Sequence, residues 1–376
     1  MTENEFNEFL KTIKPAYKDA VIQAEERQAK LAKPPKSLGK LEDISIRLSG
    51  ITGKLFNKIE NCRVIVFAAD NGVVEEGVAS TPKSVTLQQS INMTRHLTGM
   101  SAIAEYFGCS CSVIDVGIDS DLSFPGILNR KIRRGTRNFA KEPAMTRSEV
   151  LQAISCGIEA AKNAKQDSMD AVGIGEMGIG NTTTSAAVLA CLTASPVEEV
   201  TGRGSGLTDD AFALKKRVIA DAINKHKPDG SDPLDVLCKV GGLDIAAMTG
   251  AFLGCAALRI PAVVDGFISI VAALTAFKLC PAVHDFIFLS HASFEIGSKI
   301  AAKELSLEPC LLLGMRLGEG SGCPIAFQIM KAACAAMNGM ATFEEAAIND
   351  DYLSEIRTDK AFIVKNEKNT KVKSEH

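Results

Sequence analysis

The chain has 376 residues, of which 46% are hydrophobic and 23% charged, with a formal net charge of −3. That balance fits a globular chain with a full core, arranged as one large domain with a smaller accessory. It gives no electrostatic case for nucleic acid or an anionic membrane, and a chain with no Trp and three Tyr offers little platform for base stacking.

The start, "MTENEFNEFL", is acidic and polar and lacks the basic-plus-apolar pattern of a signal segment, so a cytoplasmic protein is expected. No apolar run is long enough to span a membrane. Residues 2–60 read as largely helical around the break "KPPKSLGK". Short β-rich runs then end in polar or glycine-bearing loops: "RVIVFAADNG" (63–72), "CSVIDVGID" (111–119), "DAVGIGEMG" (170–178), "IPAVVDGF" (260–267), "DFIFLSH" (285–291) and "CLLLGMRLGEG" (310–320). Helical spacing fills 146–168, 182–194, 209–226, 242–256 and 323–338. Such alternation predicts an α/β fold with a Rossmann-like parallel sheet flanked by helices. Residues 1–60 and 323–364 are expected to form a small helical domain from the chain ends. It would stand beside a large α/β domain over 61–322, with a disordered tail at 365–376.

Ligands of parallel sheets sit beyond the carboxyl ends of the strands. Asp70, Asp115, Glu176, Asp265, His291, Ser293 and Glu319 all follow predicted strands, which points to one composite site. The eleven cysteines are scattered through mostly apolar stretches, without paired metal-type spacing, and read as buried reduced thiols. No metal site is expected. The basic run "KIRRGTRN" (131–138) reads as a solvated loop, since no wider basic field supports it.

The most informative stretch is "GIGEMGIGNTTT" (173–184). Its first six residues match G-x-G-x-x-G after a strand, which keeps a dinucleotide-dependent oxidoreductase open. Glu176 in the middle of the match is awkward for a pyrophosphate, and no clear acidic ribose partner follows at the usual distance. The next residues suit a single phosphate better: backbone N–H groups at a helix start, with Thr182 and Thr183 as further donors. Glu176 would then face sugar hydroxyls. A plain glycine turn packing a helix on the sheet is the rival reading. A second glycine-flanked carboxylate, Glu319 in "LLLGMRLGEGSG", reads as a proton acceptor in a partly apolar cleft. Its rivals are a cap for the helix near Cys323 and an ion pair with Arg316. Asp265 and Asp115 read as loop-orienting, and His291 as a loop histidine bonded to backbone.

The chain resembles the nicotinate-nucleotide–dimethylbenzimidazole phosphoribosyltransferase family from about Lys33 to Ala336. The resemblance rests on "KPPKSLGKLE", "VFAADNGVVEEGVAS", "INMTRHLTGMSAIA", "GIGEMGIGNTTTSAA", "TGRGSGLTDD", "GGLDIAAMTGAFLG", "VVDGFISIVAAL" and "GMRLGEGSG", in this order. It implies a homodimer, no cofactor, and reaction of nicotinate mononucleotide with a benzimidazole to give an α-ribazole phosphate and nicotinate. The family's base falls on Glu319. Its phosphate and ribose contacts fall on Glu176, Gly178, Ile179, Gly180, Asn181 and Thr182, with Lys215 and Ser293 beside them. Its aromatic-base pocket draws on Ser80 and Gln88. Where family members usually read "ADHG", this chain has Asp70-Asn71-Gly72, and "SHASFEIG" replaces the common "SHQSAEPG". Both departures imply a shifted base preference, with Asn71 tuning which base is held. Some relatives use phenolic bases as half of a heterodimer. A non-catalytic partner subunit of the same fold is a further alternative, against which Glu319, Glu176 and "GIGNTT" stand intact.

Overall fold

A computed structural model describes residues 1–353. Six strands form one sheet: β1 (Cys62–Ala69), β2 (Ser110–Gly117), β3 (Ile127–Asn129), β4 (Ala171–Met177), β5 (Ala262–Val264) and β6 (Ile287–Leu289). All pairs are parallel and the order is β3-β2-β1-β4-β5-β6. That is the doubly wound order, whose direction of travel reverses between β1 and β4 and opens a crevice there. β1 and β4 are buried almost throughout, as expected of parallel strands covered on both faces.

Fourteen helices are seen among the described residues. In chain order they are α1 (Glu3–Thr12), α2 (Lys18–Lys30), α3 (Lys40–Thr52), α4 (Val85–Met93), α5 (Gly99–Tyr106), α6 (Arg147–Gln166) and α7 (Asn181–Thr193), then α8 (Val197–Val200), α9 (Asp209–His226), α10 (Pro233–Val240), α11 (Leu243–Ala257), α12 (Phe267–Leu279), α13 (Gly297–Glu304) and α14 (Cys323–Gly339). α11 is buried along nearly its whole length and packs on α6. α2, α3 and α14 pack together, and the Arg27 guanidinium reaches the carbonyls of Met337 and Met340 at 3.1 and 3.2 Å. The "KPPKSLGKLE" segment between α2 and α3 is pinned by a buried Lys33–Glu42 pair at 2.8 Å. No described helix is long and apolar enough to cross a membrane.

Two strand expectations are corrected. Residues 310–320 do not form a strand: a single bridge joins Leu311 to His291, and the rest is loop. Gly314, Gly318, Glu319 and Gly320 all have φ between +64° and +88°, incompatible with an extended strand, and Leu312 and Leu313 are exposed. The sheet's sixth strand is instead β3, three residues on an exposed edge, too short for an apolar alternation to betray it. The expected tail at 365–376 and most of 351–364 lie outside the described residues.

The basic run is tied down by acids: Lys131 pairs with Asp115, Arg134 with Asp121, and Arg133 and Arg137 with Glu149. All eleven cysteines are free thiols.

Candidate active site

The first two glycines of the "GIGEMG" match, Gly173 and Gly175, lie inside β4, not in a turn. A Cβ at Gly173 would meet the Cys323 side chain at 2.4 Å, and one at Gly175 would meet the Glu319 carbonyl at 2.6 Å. Both residues are bare so that α14 and the 318–322 loop can lie directly on the strand. The dinucleotide reading fails here, because two of the three glycines that should cradle a pyrophosphate are pleated into the sheet.

The turn that does face the crevice is Gly178–Gly180. Gly180 has φ +90° and serves as the N-cap of α7 with no side chain capping the helix. The Ile179 N–H is taken by Thr86 Oγ1 and that of Asn181 by the Gly178 carbonyl. The N–H groups of Gly180 and Thr182 remain available to an anion at a helix start. Lys215 comes from α9; its Nζ donates to Thr182 Oγ1 at 2.9 Å and to the Gly202 carbonyl at 3.0 Å. Burial lowers its pKa from 10.5 to about 8, so its charge is poorly solvated and suited to a phosphate.

A cavity of about 260 Å³ opens over these elements. Ser80, Glu176, Gly178, Ile179, Gly180, Asn181, Thr182, Ser293 and Glu319 line it, so the structure brings most of the expected residues together. Lys215 sits behind the wall and acts through Thr182. Two expectations are corrected. Gln88 is exposed on α4 and outside the cavity; Gln89, one residue on, lines it and reaches Glu319 Oε1 at 3.4 Å. Asn71 is fully buried behind the Gly178–Gly180 turn, where its Nδ2 reaches the Ile179 carbonyl at 3.4 Å, so it backs the turn and does not line a base pocket.

The floor is acidic. Glu176 accepts from Asn181 Nδ2 and from the Glu319 N–H at 3.2 Å. Asn181 Nδ2 also reaches Asp244 Oδ2 at 3.1 Å, so its side chain joins two carboxylates beneath the cavity and does not point at a phosphate. Burial, with neighbouring carboxylates adding to it, pushes Glu176 up to about 8 and Asp244 up to about 6. Asp265 is pushed up to about 7 by burial; it accepts from the N–H groups of Gly320 at 3.0 Å and Gly322 at 2.7 Å. It therefore orients the loop that carries Glu319. Asp115 likewise holds its own turn through the Gly117 and Ile118 N–H groups.

Glu319 itself sits in the left-handed region at φ +64°, between glycines at +83° and +88°. A non-glycine residue held there marks local strain that the surrounding contacts must maintain. Its carboxylate meets the Met100 N–H at the start of α5, at 3.3 Å. Burial raises its pKa, and the bonds from Met100, Thr98 and Gln89 pull the other way. It neither caps α14, whose N-cap is Gly322, nor pairs with Arg316. His291 has Nδ1 3.0 Å from Ser290 Oγ, so its partner is a side chain and not backbone. Sequence reasoning missed Asp244 and Gln89. Asp244 follows a glycine pair without a preceding strand, and Gln89 is distinguishable from Gln88 only by helix phase.

The phosphoribosyltransferase family model matches residues 13–348. A nicotinate-nucleotide–dimethylbenzimidazole phosphoribosyltransferase of Clostridium perfringens is 52% identical over 358 residues, covering 95% of this chain and 99% of the relative. One from Geobacter metallireducens is 45% identical over 342 residues, 91% and 97% of the two chains. The crystal structure of the Thermus thermophilus enzyme of that name superposes with a TM-score of 0.84 at 37% identity, covering 89% of this chain and 99% of that one. The chain belongs to the nicotinate-nucleotide–dimethylbenzimidazole phosphoribosyltransferase family.

Proposed function

We propose that this enzyme transfers the phosphoribosyl group of nicotinate mononucleotide to a lower-ligand base such as 5,6-dimethylbenzimidazole, giving an α-ribazole phosphate and nicotinate for cobamide synthesis. The observation that carries the reading is one cavity holding both an uncapped helix start backed by Lys215 and a strained, buried Glu319. The first suits a phosphate and the second a proton acceptor.

The ring nitrogen of nicotinate is quaternary in the nucleotide, so nicotinate is already a good leaving group and positioning matters more than acid catalysis. A benzimidazole nitrogen attacks C1′ from the face opposite nicotinate. The C1′–N bond to nicotinate breaks, its electron pair goes to the departing ring, and the configuration changes from β to α. Glu319 takes the proton from the other benzimidazole nitrogen. Glu176, Asp244 and Asp265 form the polar floor beneath the nucleotide, and Glu176 faces its ribose. Ser80, 3.1 Å from Ser205 Oγ, and Gln89 stand on the side left for the aromatic base.

We take the working unit to be a cytoplasmic homodimer. Leu312, Leu313 and Leu317, with Phe294 and Ile296, form an exposed apolar group whose burial between two copies would be favourable. Light scattering of the purified chain tests the dimer. The reaction is tested by incubating the protein with nicotinate mononucleotide and a panel of benzimidazoles and phenols, with products read by mass. Release of nicotinate with formation of a riboside phosphate is expected. No product from any base would sink the reading, and product from phenols alone would place the chain with the phenolic enzymes.

A further inference from the structure

The sequence scatters its eleven cysteines, and the fold sets two of them side by side at the far rim of the sheet from the cavity. β1 and β2 run parallel in a register that puts Arg63 opposite Ser110 and Val64 opposite Cys111. One step earlier, Cys62 stands opposite Cys109, the residue before β2. Residues opposite each other in a ladder point to the same face, and neighbours along a strand to opposite faces. Arg63 Nε reaches Ser110 Oγ at 3.1 Å on one face, so Cys62 and Cys109 share the other, where α14 packs. There the Cys62 thiol donates to the Cys109 sulfur. That bond holds the Cys62 thiol well above its ordinary range and lowers the Cys109 thiol, with the Lys331 ammonium of α14 also favouring the Cys109 thiolate. The other polar contact of the Cys109 sulfur, to the Phe107 carbonyl, is long at 3.9 Å. Neighbouring strands lie about 4.8 Å apart, within the Cα span of about 4.4–6.8 Å that a disulfide bridges. The two thiols are 3% and 6% exposed but lie only one residue deep, since Asn61, Gly108 and Ser110 beside them are exposed. Gly108 has φ +67°, and a Cβ built on it would meet nothing within 4 Å, so the turn before Cys109 stands clear of the rest of the fold.

We propose that Cys62 and Cys109 are a modification site, a thiol pair that hydrogen peroxide closes to a disulfide, and that the closure slows the enzyme through α5. Cys109 is the nucleophile. Its thiolate attacks one peroxide oxygen, the O–O bond breaks, and the other oxygen leaves as hydroxide, which takes up the proton that Cys109 released. The sulfur of Cys62 then attacks the Cys109 sulfenic acid. The S–S bond forms, the sulfenic oxygen leaves as hydroxide, and the Cys62 proton makes it water. Two thiols lose two electrons and two protons, and one peroxide becomes two waters. A dithiol reductant reverses the change by exchange. The link to the cavity is α5. The Cys109 N–H donates to the Ala104 carbonyl at 2.8 Å, which ties the cysteine to the last turn of that helix. At the helix's other end the Met100 N–H holds the Glu319 carboxylate at 3.3 Å. Bonding draws the two sulfurs from contact to about 2.05 Å, and a rigid helix of eight residues carries the shift to its start. The segment that the bond closes, 63–108, also carries Ser80 and Gln89. The slowing rests on the transfer reaction proposed above; the cross-link does not.

The test treats the folded enzyme with hydrogen peroxide in the absence of substrate, alkylates it in denaturant and maps its peptides by mass. Two of the eleven thiols should be lost, with the Cys62 peptide joined to the one that carries Cys109. No Lys or Arg separates Cys109 from Cys111, so trypsin leaves both on one peptide. Fragmentation of the joined peptide therefore locates the bond in the parent enzyme, whether or not variants fold, and Cys109→Ala should abolish it. The oxidised enzyme should turn over roughly three- to tenfold more slowly, as a small displacement of the base requires, and recover in dithiothreitol. Cys62→Ala and Cys109→Ala, which lie outside the cavity, should keep parental turnover and lose the response to peroxide. Oxidation of other thiols with no bond between these two overturns the pair, and so does a bond from Cys62 to Cys111. A complete cross-link with unchanged turnover, or slowing by peroxide that both alanine variants share, overturns the coupling through α5. A reduced enzyme that forms the bond reversibly yet transfers nothing from nicotinate mononucleotide rejects the transfer reading and leaves the thiol pair standing.

Discussion

The N–H of Glu319 donates to Oε1 of Glu176 across 3.2 Å, joining two glycine-flanked carboxylates that stand 143 positions apart in the chain. The contact is close because Gly318 has no Cβ; one built there would lie 2.5 Å from the same oxygen. Glu176 is thus a support for the strained residue, and Asp265 is the second support from the next strand. In the proposed reaction the two glutamates divide the work: Glu176 holds the loop and faces the nucleotide, and Glu319 receives a proton.

Glu319→Gln keeps the side chain's size and can still accept the Met100 N–H, but it no longer accepts a proton. Turnover should fall by roughly 10²–10⁴, the range for a positioned general base, with nucleotide affinity near normal. Single-turnover kinetics beside calorimetry separate the two quantities. Near-parental single-turnover rates would remove Glu319 from the role of base.

Much of this site was legible from sequence because β-rich runs ending in Asp, Glu or Ser lie beyond the strands of any parallel sheet. Glu176 and Ser293 came together for that reason, at the ends of β4 and β6, whereas Glu319 reaches the cavity from a loop that no strand precedes. What misled was local pattern without its three-dimensional phase. The glycines at 173 and 175 look like a phosphate turn but serve packing inside a strand. "CLLLGMRL" looks like a buried strand, yet Leu312, Leu313 and Leu317 are exposed, Leu317 on the cavity wall, and positive-φ residues break it. Helix phase alone separates Gln89 from Gln88, and a one-residue shift turns a side chain by about 100°.

Asp265→Asn tests the second support. A carboxylate accepts from both Gly320 and Gly322; an amide offers one oxygen and turns its NH₂ group toward the other N–H. Turnover should drop about ten- to a hundredfold through displacement of Glu319. The amides of Gly320 and Gly322 should exchange with solvent faster than in the parent. Lost turnover with unchanged exchange would assign Asp265 a direct part in the chemistry instead.

The acidic floor makes stability depend on pH. Glu176, Asp265 and Asp244 are raised in the folded enzyme to about 8, 7 and 6 from ordinary values of 4.5, 3.8 and 3.8. The folded state therefore holds protons that the unfolded chain has released, and their stabilising contribution is lost as pH rises from about 5 through 8. Lys215, lowered to about 8, works in the opposite direction only above that value. The melting temperature should fall across pH 5–8, less steeply in Glu176→Gln. A flat melting profile over that range would contradict this picture of the floor.

Gln89 and Gln88 give a contrast within one helix turn. Gln89→Ala removes a donor to Glu319 and opens space beside the aromatic base, so it should cost about 1–2 kcal/mol in kcat/KM and alter preference among bases. Gln88→Ala, on an exposed face, should change kcat/KM less than about twofold, as surface truncations usually do. Competition between paired bases reads both. A larger effect at Gln88 would mean that a partner chain or the bound base brings it into the site.

Asn71 departs from the "ADHG" pattern that the family resemblance implies. Its side chain is wedged between two glycine segments: a Cβ at Gly178 would lie 3.2 Å from its Nδ2, and one at Gly242 would lie 2.8 Å from its Oδ1. That Oδ1 is buried without a partner, while Nδ2 holds the Ile179 carbonyl. Asn71 therefore acts on the turn at the start of α7, the seat proposed for the phosphate, and not on the aromatic base. Asn71→His introduces a larger ring behind that turn and moves the donor that steadies Ile179. The expected result is a change in KM for nicotinate mononucleotide of about fivefold, equivalent to roughly 1 kcal/mol. The ratio of efficiencies among benzimidazole, dimethylbenzimidazole and phenol should stay within error of the parent. Nicotinate riboside, which lacks the phosphate, should be much less affected. If the base ratios shift while the nucleotide KM does not, the side chain reaches the aromatic pocket in the working enzyme and its placement behind the turn is not what governs its role.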